Sequence, residues 1–219
     1  MQTDSPMIEA IEAWSSPLFV TEYPEHDFLK EDLLSYIYAS QRQQTKAVES
    51  EVATTAKHQL FESKLDFLAA DNPAIMELRR MLEELIGAVA SQVNAPYWPP
   101  EAEGEAEITE SWFHVTQNGG YHDVHSHPNC SWCGIYYLAP GDANLTARNG
   151  VNRFYDPRGN ADHYSDAGSA YLNQQGFWDF APIEGQIVIF PSYLKHSALP
   201  YFGEQDRVVI AFNSAVTLV

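Results

Sequence analysis

Histidines are concentrated in one short stretch of the chain. Four of the eight lie between positions 114 and 127, and His125 and His127 are separated by a single residue. Side chains on a β-strand alternate between its two faces, so Asp123, His125 and His127 are predicted to share a face, with His122 on the opposite one. Two neutral imidazoles on one face can chelate zinc, iron, copper or nickel. The spacing predicts a metal site with His125 and His127 as ligands and with Asp123 as an alternative carboxylate ligand.

A further ligand has to come from a separate strand. The candidate is His196, which follows the apolar strand in the segment IFPSYLKHSALP. Three other histidines, His26, His58 and His163, lie in helical or loop contexts and are weaker candidates. We therefore predict that His196 completes the metal site.

Arg207 is a candidate for binding an anion beside this site. It follows His196 by eleven positions and opens the apolar strand RVVIAFN. A charged side chain that enters a barrel is costly unless an opposite charge meets it. The planar guanidinium matches a carboxylate with two parallel hydrogen bonds. The position of Arg207 therefore indicates a carboxylate-binding role.

The two cysteines, Cys130 and Cys133, have the spacing C-x-x-C and allow three interpretations. A thioredoxin-like redox pair is disfavoured because it belongs at a helix N-terminus in a βαβ unit, whereas this pair lies between strands. Together with His125 and His127 the pair forms a crowded set of zinc ligands. The interpretation we favour is two free, partly buried cysteines in a turn.

Composition limits the function classes. The chain has 219 residues, 45% of them hydrophobic, and a formal net charge of −18. One domain spanning residues 1–219 is expected from this length. The negative charge disfavours nucleic acids and anionic membranes as partners. The acidic start MQTDSPMIEA has no signal-peptide pattern, and no apolar run reaches the roughly 20 residues of a membrane span. We expect a cytoplasmic protein, and a homodimer is left open.

Periodicity divides the chain into a mainly helical part, residues 1–100, and a strand-rich part, residues 101–219. In the first part a short strand (16–24) precedes three predicted helices: 25–44, 58–70, and 73–93 with Asn72 as N-cap and Pro73 at its first position. In the second part the predicted strands are 106–117, 121–127, 132–140, 144–148, 151–156, 185–192 and 206–216, with a turn at Gly119-Gly120 and an aromatic loop at 157–181. These elements predict an α+β, mainly β fold, with helices packed on the outside of a barrel.

Four segments within residues 106–216 resemble one known family. GGYHDVHSHPN, GIYYLAP, GQIVIFPSYLKHSALP and DRVVIAFN are similar to the metal-binding segments of non-haem Fe(II), 2-oxoglutarate-dependent oxygenases, in particular the prolyl-hydroxylase-like branch. A bacterial and phage group of these oxygenases looks closer still. The resemblance implies a double-stranded β-helix, also called a jelly-roll or cupin-like barrel.

The resemblance also implies roles for single residues. His125 takes the place of the first metal ligand and His196 that of the distal histidine, while His127 stands where the family has aspartate. Arg207 would pair with the far carboxylate of 2-oxoglutarate, Tyr137 would hydrogen-bond the same group, and Asn213 would line the pocket. The implied cofactors are Fe(II) and 2-oxoglutarate. The implied activity is a dioxygenase that uses O₂ to hydroxylate a small molecule or a protein side chain and decarboxylates 2-oxoglutarate to succinate.

Two other functions remain open at this point. One is a cupin-like dioxygenase that holds its metal with three histidines and does not use 2-oxoglutarate. The other is a non-enzymatic metal-binding barrel in which Cys130 and Cys133 complete a zinc site. Arg207 discriminates between the 2-oxoglutarate enzyme and the three-histidine dioxygenase, because only the 2-oxoglutarate enzyme needs it for binding its cosubstrate.

Overall fold

A single antiparallel sheet dominates the computed structural model, which describes residues 15–47, 57–158, 167–168 and 176–219. Within these residues there are two α-helices and a short 3₁₀ helix, Phe67–Ala69. The helices are α1 (His26–Ala47) and α2 (Pro73–Asn94), and the strands are β1 (Phe19–Glu22), β2 (Lys57–Glu62), β3 (Gly104–His125), β4 (Trp132–Ala139), β5 (Asn152–Tyr155), β6 (Phe177–Phe180), β7 (Gln186–Pro191), β8 (His196–Tyr201) and β9 (Arg207–Leu218).

The strands lie in the order β1-β7-β4-β9-β3-β8-β5-β6, and β2 pairs with β3. The sheet curls into a half-barrel. β3 and β9 pair along most of their lengths, from Gly104 opposite Leu218 to Thr116 opposite Arg207. This pairing brings the beginning of the histidine-rich segment, His114, next to the start of β9, which carries Arg207.

The central strands β4, β7 and β9 are buried on both faces. Their outer side chains, such as Tyr136, Ile187 and Ile210, belong to one apolar cluster with buried residues of α1 and α2. Their inner neighbours, such as Ile135 and Val188, form a second cluster inside the curl of the sheet. Period-two alternation along each strand therefore assigns one face to the helices and the other face to the interior of the barrel.

Helix α2 forms as its sequence predicts. Asn72 is the N-cap, and its side chain accepts hydrogen bonds from the backbone N–H groups of Ala74 and Ile75. Pro73 occupies the first turn, where its missing N–H costs no hydrogen bond. The predictions of a strand near residues 16–24 and of a helix at 25–44 are also confirmed, by β1 and α1.

The predicted helix at 58–70 is wrong. The segment forms β2 and the short 3₁₀ helix, because its apolar residues pair with β3 instead of stacking along a helix. Phe61 packs its ring against Phe113. The Ser63 hydroxyl accepts a hydrogen bond from the backbone N–H of Phe113. An apolar run this short fits the period of a helix as well as that of a strand, and here the pairing with β3 makes it a strand.

The predicted turn at Gly119-Gly120 is also wrong, since β3 continues through it to His125. Gly119 has a φ of +83°, and the pairing of β3 with β8 shifts register between Gly120 and His122 and again between His122 and His125. Such irregularities bend a strand and redirect its side chains without ending it. They lie immediately before the histidine pair.

Three further differences concern the loops. Residues 144–148 form a turn in place of the predicted strand, held by mutual backbone hydrogen bonds between Asn144 and Asn149. The predicted loop at 157–181 contains β6, which pairs with β5, and β8 was not predicted as a strand. Of the aromatic and histidine side chains predicted for that loop, His163, Tyr164 and Tyr171 lie outside the described residues.

Neither α-helix of the described residues is long and apolar enough to span a membrane. The division of the chain into a single domain, the cytoplasmic location and the homodimer stay predictions.

Gly87, in the middle of α2, allows the helix to approach the sheet closely. A Cβ atom at this position would lie 2.5 Å from the carbonyl oxygen of Gly104. In an ordinary helix Gly→Ala stabilises by about 0.5–1 kcal/mol. We expect Gly87→Ala to lower the free energy of unfolding instead, by about 1–3 kcal/mol, because the added methyl group forces α2 away from β3.

Urea denaturation measures this difference. Ser35→Ala, at an exposed position of α1, is the matched control and follows ordinary helix propensity. A stabilised Gly87→Ala variant would contradict the close contact between α2 and β3.

Candidate metal centre

The structure brings His125, His127 and His196 together. One ring nitrogen from each lies within 4.8 Å of the others. His125 ends β3 and is the register partner of His196, which begins β8. His127 lies just beyond β3, where its backbone N–H donates to the carbonyl of Ser192 at 3.0 Å. Two adjacent strand ends and one anchored turn therefore place three imidazoles around a common point.

Two of the rings have their orientation and tautomer set by backbone carbonyls. The Nδ1 atom of His125 lies 2.7 Å from the carbonyl oxygen of Asp123, and that of His196 lies 3.0 Å from the carbonyl oxygen of Leu194. A carbonyl only accepts, so each Nδ1 carries the hydrogen. The Nε2 lone pairs are left for a metal, the arrangement usual for metal-binding histidines.

All three imidazoles are neutral at pH 7. Burial, together with a smaller effect of the neighbouring histidines, lowers the pKa of His125 and of His127 to about 4 and that of His196 to about 3. A metal competes with protons for the same lone pair, so groups that resist protonation are ready ligands.

His122 and Asp123 do not point where simple alternation predicts. The ring of His122 lies 4.0 Å from that of His125, and both line the same cavity. The Asp123 side chain is exposed and lies outside the group of three histidines. The cause is the register shift between His122 and His125, which breaks the period-two count. This geometry gives no support to Asp123 as the carboxylate ligand.

Arg207 lines the same cavity as the three histidines and is only 1% exposed. Its Nη2 donates to Oδ1 of Asn152 at 2.7 Å, while its Nε has no hydrogen-bond partner. No acidic side chain of the described residues forms an ion pair with it, and burial lowers the pKa of its guanidinium. A buried cation that lacks a negative partner is costly, and an anion in the cavity would remove that cost.

Asn152 is a site residue that sequence reasoning missed. Its Oδ1 accepts hydrogen bonds from both Arg207 and the hydroxyl of Tyr137, at 2.7 and 3.0 Å. Tyr137 is fully buried, its hydroxyl is linked to the guanidinium group through Asn152, and its ring centre lies 5.9 Å from the guanidinium carbon. The available signal was the alternation in VNRFY, which places Asn152 on the buried face with Phe154.

Asn213 also lines the cavity, on the face of β9 that carries Arg207, as the period of two predicts. Its side-chain N–H donates to Glu110 at 2.8 Å, and its Oδ1 accepts from the thiol of Cys133 at 3.3 Å. Cys130 and Cys133 are free thiols and are not part of the histidine group. A zinc site that combines these cysteines with the histidines is therefore not formed in this structure.

His114 is a further cavity residue with a strong partner. Its Nε2 lies 2.7 Å from a carboxylate oxygen of Glu62, which also forms an ion pair with Lys57. Burial alone would raise the pKa of Glu62, but the hydrogen bonds from His114 and Lys57 lower it to about 2. Glu62 therefore holds the His114 ring in place in the cavity wall.

The segment that forms the cavity also matches a known family. Residues 110–213 match the family described as "Putative 2OG-Fe(II) oxygenase". This segment is thus similar to the 2OG-Fe(II) oxygenase family. Members are oxidoreductases that use Fe(II) and 2-oxoglutarate, so the predicted enzyme class and the predicted cofactors are confirmed. No curated protein matches the sequence.

Solved structures agree in fold. A prolyl-4-hydroxylase from Pseudomonas putida has 15% identity and a TM-score of 0.56, covering 91% of this chain and 93% of its own. HygX from Streptomyces hygroscopicus, with nickel, 2-oxoglutarate and hygromycin B bound, has 13% identity and a TM-score of 0.57, covering 91% and 82%. A prolyl hydroxylase from Trichoplax adhaerens, in complex with a hypoxia inducible factor peptide, has 12% identity and a TM-score of 0.56, covering 90% and 82%. The predicted double-stranded β-helix is confirmed.

The residues of this chain fit both cofactors. Three neutral imidazoles, of which His125 and His196 have Nε2 left free, suit a divalent iron ion. The Nε of the buried Arg207, which has no hydrogen-bond partner, suits a carboxylate in the same cavity.

The lowered pKa values of the histidines predict how stability depends on pH. An unfolded histidine titrates near pH 6.5, whereas these three titrate near 3–4 when folded. Between pH 6.5 and about 4 the unfolded chain binds more protons than the folded chain, so the free energy of unfolding of the metal-free protein falls as the pH falls.

His196→Asn, which retains a donor for the carbonyl of Leu194, should make that decline shallower by about 1 kcal/mol per pH unit. Urea denaturation across this pH range measures the slope. An unchanged slope in a folded variant would show that His196 does not titrate as its burial implies.

Proposed function

We propose that the protein is an Fe(II)- and 2-oxoglutarate-dependent oxygenase in which His125, His127 and His196 hold the metal. The observation that carries this proposal is the buried guanidinium of Arg207, which lines the same cavity as the three histidines and has no acidic partner among the described residues. A metal would account for the three histidines, and a dicarboxylate would account for the buried charge of Arg207.

The three histidines supply a neutral ligand set. An aspartate ligand would cancel one of the two positive charges of Fe(II), and here that charge stays on the metal. Because 2-oxoglutarate is a dianion, its binding would compensate both this excess charge and the charge of Arg207. The ligand set therefore makes binding of the cosubstrate more dependent on electrostatics.

Arg207 would anchor the far carboxylate of 2-oxoglutarate with its Nε and a terminal nitrogen. Asn152 and Tyr137 act as positioning residues, since Asn152 holds Nη2 of Arg207 and Tyr137 holds Asn152. The direct hydrogen bond that we predicted from Tyr137 to the carboxylate stays a prediction. Asn213 lines the same cavity, on the face of β9 that carries Arg207.

When bound, the metal and 2-oxoglutarate supply O₂-dependent oxidation of a substrate C–H bond, coupled to decarboxylation of the cosubstrate. The protein's contribution is to hold these groups and to exclude water. Trp112, Phe190 and Phe212 line the cavity and supply apolar walls for this purpose.

The substrate is a small molecule or a protein side chain, and hydroxylation is the proposed reaction. The similar structures include HygX with hygromycin B bound and a prolyl hydroxylase with a peptide bound, so this fold accommodates both substrate classes. The net charge of −18 favours a neutral or cationic substrate over a nucleic acid.

A three-histidine dioxygenase that does not use 2-oxoglutarate is the second candidate, and the absence of a carboxylate from the histidine group favours it. Arg207 argues against it, because such an enzyme gives no reason to bury an unpaired cation beside the metal.

The assignment of His127 as a ligand can be tested against Asp123. We expect His127→Ala to weaken Fe(II) binding by about 100-fold, since one of three protein ligands is lost. His127→Asp should retain binding because it restores a carboxylate at the same position. Asp123→Ala, at an exposed residue, is the matched control and should bind like the original protein.

Competition with a metallochromic chelator under anaerobic conditions measures these affinities. If Asp123→Ala lost Fe(II) binding while His127→Ala kept it, Asp123 would be the metal ligand and His127 would not.

Cosubstrate binding can be tested through the visible charge-transfer band that forms when 2-oxoglutarate chelates Fe(II). We expect the band in the Fe(II)-loaded protein and an affinity for 2-oxoglutarate about 10–100-fold weaker in Arg207→Ala, because a charged hydrogen-bonded contact is lost. Arg207→Lys keeps the charge without the planar fork and should be intermediate.

Arg79→Ala on α2 serves as the control for removing an arginine away from the cavity. Circular dichroism verifies that each variant folds. Iron bound without a band in the unmodified protein would reject the 2-oxoglutarate enzyme in favour of the second candidate.

A further inference from the structure

The two cysteines lie side by side, and one of them forms part of the cavity wall. Cys133, in β4, is 2% exposed and lines the cavity, while Cys130, in the turn before β4, is partly exposed. Their Sγ atoms are 3.4 Å apart. A disulfide bond measures about 2.05 Å, so a shift of roughly 1.4 Å would join them.

Each thiol also has an oxygen acceptor of its own. Cys133 donates to Oδ1 of Asn213 at 3.3 Å, and Cys130 donates to the carbonyl of His127 at 3.6 Å. When each thiol hydrogen points to its oxygen acceptor, no hydrogen lies between the two sulfur atoms, and their lone pairs face each other.

The backbone holds this turn in place. Ser192 donates its hydroxyl to the carbonyl of Cys130, and Ser131 donates its N–H to the carbonyl of Ser214. The turn is thus fixed to the end of β7 and to β9. The two sulfur atoms are thus close together in a segment that hydrogen bonds hold in place. Only a small movement of the side chains is needed to form a disulfide bond.

We propose that Cys130 and Cys133 form a reversible redox pair in the cavity wall, which peroxide oxidises to a disulfide. The pair is distinct from a thioredoxin-like catalyst, because Cys133 lies within a strand and no helix begins at either cysteine. It is distinct from a zinc site, because neither sulfur belongs to the histidine group. It does not depend on the proposed iron and 2-oxoglutarate chemistry.

The step balances with hydrogen peroxide as the oxidant. The sulfur of Cys130 attacks one peroxide oxygen, the O–O bond breaks, and one water leaves with the thiol proton, which gives a sulfenic acid. The sulfur of Cys133 then attacks the Cys130 sulfur, the S–O bond breaks, and a second water leaves with the Cys133 proton. Two thiols lose two electrons, and the peroxide gains them.

The disulfide would change the cavity through Asn213. Oxidation removes the S–H donor of Cys133, so the side chain of Asn213 keeps its hydrogen bond to Glu110 but loses the one to the thiol. The modification therefore acts on a residue that lines the metal cavity.

The test uses the full chain, reduced and metal-free, with a small excess of hydrogen peroxide. The chain has only two cysteines, so free-thiol titration reports on this pair alone. We expect both thiols to disappear together, the intact mass to fall by about 2 Da, and dithiothreitol to restore both. Oxygen addition without mass loss, disulfide-linked dimers, or thiols that stay reduced would each overturn the proposal.

Single variants resolve the order of attack. In Cys133→Ser the sulfenic acid on Cys130 has no resolving partner, and a diketone probe should trap it. In Cys130→Ser the remaining thiol is buried and should react at least about tenfold more slowly. Trapping on Cys133 in place of Cys130 would contradict the proposed geometry.

Added Zn(II) separates the redox pair from a metal site. Zinc bound by the histidines alone leaves the rate of thiol oxidation unchanged, which supports the proposal. Full protection by zinc would place the sulfurs on the metal and overturn it.

Discussion

The structure depends on central strands that are buried on both faces. Alternate side chains of β4, β7 and β9 point to the helices outside the sheet and to the cavity inside it. The pairing register of these strands therefore decides which side chains reach the cavity. A slip of one residue would exchange them and place Arg207 among the helices. The described parts of α1 and α2 contribute no residue to the cavity wall, and α2 with its close contact at Gly87 holds the sheet in position.

Within that frame the buried guanidinium of Arg207 distinguishes a binding cavity from ordinary packing. An apolar side chain at this position would cost less, since Nε of Arg207 has no partner. The three neighbouring histidines are neutral and do not offset its charge. An anionic cosubstrate would resolve this imbalance and would join the proposed metal centre and Arg207 into one site.

Local patterns predicted much of the site. The pair His125 and His127, the distal His196 and the arginine Arg207 carry their signals in short segments, and α2 carries its signal in the cap at Asn72. What the sequence did not predict depends on contacts between strands. The local pattern predicts a helix where β2 forms, because the pairing of β2 with β3 is not visible in the sequence.

The bulge before His125 has the same origin. It turns His122 into the cavity and leaves Asp123 exposed, and no count of alternating residues contains that shift. Asn152 was missed because its role arises only where β5 meets Arg207 across the sheet. The crystal structure of the anaerobic complex with Fe(II) and 2-oxoglutarate tests the account most directly. It should show the metal on Nε2 of His125, His127 and His196, with a carboxylate of 2-oxoglutarate on Nε of Arg207. A metal held by Asp123 or by a cysteine in place of one of these histidines, or a cosubstrate that does not contact Arg207, would contradict it.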